Sequence, residues 1–132
     1  MDNLEQSELV IAKILGLLME WGLTETEMRF EELGLEEDFR QFFTTCIEWL
    51  EAEGIIRVKK VHKFIDGHAL IERPTITAHG FRLMGITLSV GQQTTTIGAA
   101  VKQTSKDTGF YTGLGDLGGG FVGGLLKSLG SA

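Results

Sequence analysis

Cys46, His62, His68 and His79 are the side chains best equipped for nucleophilic, acid–base or metal chemistry, and their settings argue against all three. Cys46 is the only thiol among 132 residues, so there is neither an intrachain disulfide framework nor a cysteine-rich zinc site. It falls among phenylalanines on an apolar helical arc, where cysteine is a packing residue rather than a nucleophile. The three histidines, taken with Asp66, match no zinc-ligand spacing, and two of them flank a turn that reads as exposed. The acidic runs read as solvated helix faces, not as paired carboxylates in a cleft. The glycines near the end follow no strand and lack the Lys-Ser/Thr of a phosphate loop. Catalytic, cofactor-binding and metal-binding residues are all expected to be absent, so the chain reads as no enzyme.

A second chemistry is anion binding, and here charge is sharply divided along the chain. Residues 1–54 carry 14 acids against Lys13, Arg29 and Arg40, a net of −11. Residues 55–90 carry Arg57, Lys59, Lys60, Lys63, Arg73 and Arg82 against Asp66 and Glu72, a net of +4. A local basic patch attracts an anion even when the whole molecule, here at −6, repels it. The candidate nucleic-acid or anion-binding set is therefore Arg57, Lys59, Lys60, Lys63 and Arg73.

The elements that position these residues follow from periodicity. Leu9 to Trp21 is apolar around almost its whole helical circumference, with Lys13, Gly16 and Glu20 on a narrow polar strip. Such a helix must be covered on more than one side. It is either the central core helix, or its outer face is covered by a second chain or by the C-terminal segment. Gly22 is placed to end it. Thr24 and Glu27 have capping-box spacing, predicting a short second helix to about Leu33, stopped at Gly34. The third helix, from Glu36 to Gly54, sets Phe39, Phe42, Phe43, Cys46, Ile47, Trp49 and Leu50 on one arc. Arg40, Gln41, Thr44, Thr45, Glu48, Glu51 and Ala52 lie on the other. After Gly54 the period drops to two. "IIRVKKVHKF" and "ALIERPTI" predict strands joined by an Asp66-Gly67 turn, with Pro74 marking an edge or an end. Thr77 is an N-cap candidate for a short helix beyond.

The order helix, helix, helix, hairpin, helix over residues 7–88 resembles the winged-helix superfamily. "WLEAEGIIRV" (49–58) is similar to that family's step from third helix into wing, and "ITAHGFRLM" (76–84) to its post-wing pattern. The fold expected is α+β, a winged-helix domain over 1–90 with a Gly-rich C-terminal extension over 91–132. The resemblance also implies a route to nucleic acid, with the third helix in the major groove and the wing on the backbone. The third helix departs from that requirement. Its exposed arc offers one cation, Arg40, and its first turn is Glu36-Glu37-Asp38, which would face phosphates without counterions. Nucleic-acid binding, if it occurs, is expected through the wing. The plainer role for those cations is to solubilise an exposed hairpin.

From Val90 onward the texture is polar, with a weak helical signal around Ile97, Ala100 and Val101. Residues 109–132 then hold nine of the chain's 18 glycines among scattered apolar residues. Glycine costs up to about 1 kcal/mol per helical position relative to alanine, so an isolated helix there is unfavourable in water. Three readings compete: a flexible tail, docking onto protein, and association with a membrane surface. Phe121, Val122, Leu125, Leu126 and Leu129 would form one apolar side if helical, able to meet the same chain or a partner. The apolar run Leu117–Leu126 is too short to span a bilayer, and only one cation, Lys127, accompanies it from 109 on. With no apolar leader and a single cysteine, the chain is expected to be cytoplasmic. The leading expectation is a non-catalytic protein-interaction or homo-oligomerisation module. The alternatives are a wing-led nucleic-acid-binding regulator and tail-mediated membrane association.

Overall fold

The computed structural model describes residues 2–90 and 93–106, and their arrangement is α+β. The apolar face Phe121, Val122, Leu125, Leu126 and Leu129 lies outside the described residues. The first helix, α1 (Asn3–Trp21), starts where the Asp2 carboxylate accepts a hydrogen bond from the Glu5 amide at 2.8 Å. It stops at Gly22, whose φ of +68° a residue with a Cβ rarely adopts. Val10, Ile14 and Leu15 are wholly buried, so α1 is central to the core. Gly16, expected on the polar strip, is buried as well.

The expected second helix is replaced by a strand and a single tight turn. Thr24 does not form a capping box; its hydroxyl donates to the Trp21 carbonyl at 3.1 Å. Strand β1 (Glu27–Met28) pairs antiparallel with β4 (Ala69–Glu72), and only Phe30–Leu33 is helical, as a 3-10 turn ended by Gly34 at φ +67°. The cause is an alternation that the capping-box spacing conceals. Met28 and Phe30 are buried while Glu27 and Arg29 are exposed, which an extended backbone achieves and a helix cannot.

The expected third helix is a 3-10 segment (Glu37–Phe42) running into α2 (Phe43–Ala52). Its apolar arc faces the core as expected. Phe42, Phe43, Cys46, Ile47 and Leu50 are buried, with Phe39 and Trp49 half-buried beside them. Phe43 meets Phe30 edge to face, ring centres 6.0 Å apart. Gly54, at φ +75°, then turns the chain.

The two predicted strands are each broken in two. β2 (Ile56–Arg57) pairs with β5 (Thr75–Ile76), whereas β3 (Lys60–Lys63) pairs with β4, giving one sheet of order β1-β4-β3 and one of β2-β5. The break after β4 is made by Arg73, at φ +50° with its amide donated sideways to Thr26, and by Pro74, which has no amide to give. The β3–β4 loop turns at Asp66-Gly67 as expected: Gly67 sits at φ +85°, and Asp66 Oδ1 accepts the His68 amide at 3.0 Å.

Thr77 caps α3 (Ala78–Met84) by accepting the Gly80 amide at 3.0 Å, and its own hydroxyl donates to the Gly54 carbonyl. Strands β6 (Thr87–Val90) and β7 (Gln93–Thr96) pair antiparallel and lead into α4 (Ile97–Lys106). Ile97, Ala100 and Val101, which carry the weak helical signal, are buried, and α4 packs along α1. The outer side of the apolar helix is thus covered by a segment of the same chain. Among the described residues no helix is long and apolar enough to cross a membrane.

Candidate interaction surface

Of the candidate basic residues, Lys60 and Lys63 lie on β3, Lys59 just before it, Arg73 just after β4 and Arg57 on β2 of the other sheet, and three of the five meet carboxylates of the same chain. Lys59 Nζ lies 3.3 Å from Glu72 Oε1, Lys63 Nζ 2.6 Å from Glu48 Oε1, and Arg73 Nη2 2.8 Å from Glu25 Oε1. His62 Nε2 lies 3.0 Å from the other oxygen of Glu72. The hydrogen bonds from His62 and then Lys59 hold the Glu72 carboxyl below its ordinary value of 4.5. Glu25 and Glu48 belong to the acidic half of the sequence, so the two charge blocks neutralise each other in part within one molecule. Exposed ion pairs of this kind add little stability. Their effect is on the field: phosphates would have to compete with carboxylates already in place. Arg57 and Lys60 are exposed and, among the described residues, belong to no ion pair.

Arg40, the one cation expected on the outer arc of the third helix, lies in the 3-10 segment before α2 and is turned inward upon its neighbours. Its guanidinium donates to Glu37 and, at 2.8 Å, to Glu31, and it stacks over the Phe30 ring at 4.8 Å from the centre. The Arg40 hydrogen bonds hold both carboxyls below their ordinary range. His68 Nδ1 stands 3.5 Å from both Arg40 and Glu31. This cluster ties the 3-10 segments to the hairpin and leaves the outer face of α2 without an available cation.

Cys46 is buried, its thiol directed to the Ser7 carbonyl at 3.6 Å. Burial pushes its pKa up to about 12, which removes the thiolate that a nucleophile needs. Among the described residues no three of His, Cys, Asp and Glu are gathered in a way that could hold a metal ion.

The surface feature that sequence reading missed is apolar. Phe64 is 54 % exposed and Ile65 fully exposed, side by side at the tip of the β3–β4 hairpin. The signal was present as two large apolar residues directly before an Asp-Gly turn, where a loop tip offers no core to receive them. A second apolar feature lies between α1 and α2. There Leu4, Ile11, Cys46 and Trp49, with Ser7, Glu8 and Thr45, line a groove that opens to solvent. Leu4 is 61 % exposed at its edge. No protein-family model, no curated protein and no solved structure matches this chain.

Proposed function

We propose that this chain is a non-catalytic protein-interaction and oligomerisation module, built on a winged-helix scaffold whose wing is the β3–β4 hairpin. The scaffold reading is supported by the element order helix, strand, turn, helix, hairpin, helix and by the β1-β4-β3 sheet. The observation that carries the functional reading is the division of labour on the wing. Lys59, Lys63 and Arg73 are engaged by Glu72, Glu48 and Glu25, while the side chains left for a partner at the tip are Phe64 and Ile65. A phosphate-binding wing needs the reverse, with cations available and little apolar surface at its end. A protein-binding one needs an apolar centre with a polar rim.

A second reading, nucleic-acid binding through the wing, is favoured only by Arg57 and Lys60, which are exposed outside any ion pair among the described residues. Two measurements separate them. Sedimentation velocity of the full chain across a concentration series is expected to show species heavier than a monomer. Anisotropy of a labelled duplex at low salt, where phosphate attraction is greatest, is expected to stay flat. Binding that falls steeply with salt and vanishes in Lys59→Glu/Lys60→Glu would replace the first reading with the second.

A further inference from the structure

We propose that the C-terminal segment of this chain seats in its own α1–α2 groove, residues 121–129 forming a short helix whose apolar side meets Leu4, Ile11, Cys46 and Trp49. The groove is a recess between two helices, with about 640 Å³ of empty space that runs out into solvent. No residue of α4 lines it, so the helix that covers the outer side of α1 leaves this side open. The segment has the spacing that such a recess receives. Val122, Leu125, Leu126 and Leu129 stand at i, i+3, i+4 and i+7, with Phe121 beside them and Lys127 on the opposite side of the wheel. Those are the anchor positions of an apolar helix face laid into a groove.

Reach and tethering select this segment as the occupant. α4 lies along α1, a helix of 19 residues, or about 28 Å. Residues 107–120 separate the end of α4 from Phe121 and span up to about 50 Å when extended, so the segment reaches the groove from either end of α1. A tether of this length holds the segment at an effective concentration of roughly millimolar, which a separate molecule in solution does not match. Gly123 and Gly124 make an isolated helix unfavourable in water, so the helix forms only where apolar cover is supplied. The inference goes beyond the oligomerisation reading and does not depend on it, because the contact lies within one chain. It also closes the groove to others: a partner helix must first displace residues 121–129.

Hydrogen-exchange mass spectrometry of the full chain tests this. The amides of residues 121–129 are expected to exchange about tenfold or more slowly than an unstructured chain, equally at low and high protein concentration. Leu125→Asp removes an anchor, and Leu4→Glu sets a carboxylate at the edge of the groove, where Leu4 is 61 % exposed. Both variants are expected to return 121–129 to the unstructured rate, while unchanged exchange from Leu9 to Leu18 and across α2 shows that the fold is kept. Three results overturn the proposal: unstructured rates for 121–129 in the wild-type chain, protection that survives either substitution, and protection lost on dilution. The second assigns the segment a different contact, and the third places it in the groove of another copy. The oligomerisation reading is judged by sedimentation velocity and stands or falls separately.

Discussion

Gly80 has no room for a side chain. A Cβ built there would lie 2.2 Å from the Ile55 carbonyl oxygen and 2.6 Å from Ile76 Cγ2, because α3 crosses directly over the backbone that leaves α2. Backbone cannot swing aside as a side-chain end can, so Gly80→Ala is expected to cost about 1–3 kcal/mol, read as a lower midpoint in urea unfolding. Cys46 gives the second expectation at this scale. With its pKa near 12, only on the order of one thiol in ten thousand is ionised at pH 8. An aromatic disulfide reagent should therefore leave the folded chain unmodified and titrate one thiol after denaturation. Rapid labelling of the native protein would show that Cys46 is not held as described. The packing role of this residue was legible from its position among phenylalanines; the exact fit at Gly80 was not, since a Thr-x-x-Gly spacing says nothing of what crosses above it.

At the scale of elements, legibility followed the length of each periodic signal. The α2 arc, the Asp66-Gly67 turn and the Thr77 cap are each dictated by several neighbouring residues that agree, and each appears where the sequence places it. The second helix does not form because the alternation of Glu27, Met28, Arg29 and Phe30, paired with β4 as a strand, outweighs a four-residue capping pattern. The sequence signal for α4 is weak for a different reason. Its sequence is polar overall, and its few apolar residues gain their value only from α1, which is distant in the chain. Most helical stability comes from such packing rather than from propensity. Ile97 is wholly buried and its amide donates to the Ile86 carbonyl at 2.9 Å. Ile97→Ala is expected to destabilise the entire domain by about 2–5 kcal/mol in a single cooperative transition. A separate early transition for α4 would mean instead that the helix is an independent appendage.

For the whole molecule, the prominent electrostatic feature is mutual neutralisation of an acidic half and a basic hairpin. Glu31, Glu37 and Glu72 have carboxyls held below the ordinary 4.5 by Arg40, Arg40 and His62 respectively. A depressed carboxyl contributes stability that is fully present above its unfolded value and is lost as pH falls through the folded one. The domain is therefore expected to keep its stability down to about pH 4.5 and lose it progressively below, in thermal melts across a pH series. Glu32, whose carboxyl burial pushes up, acts in the opposite sense and in the window above 4.5, where stability rises as it takes up its proton. Glu31 and Glu37 are well exposed and Glu72 is half-buried, so added salt should flatten most of the profile, and a salt-independent acid transition would point to some other group. The charge division itself was plain in the sequence. That its two blocks would meet within one molecule, through Glu25 and Glu48, depended on the hairpin folding back beside α2.

The cover that α4 provides for α1 also sets an order of events during synthesis. The most apolar helix is made first, and the helix that closes its outer side begins 76 residues after Trp21. A ribosome adding roughly 5–20 residues per second leaves that gap open for several seconds. For that interval the nascent chain carries a helix whose partner does not yet exist. Its fate then depends on what else in the cell can hold a bare apolar helix until Val101 arrives.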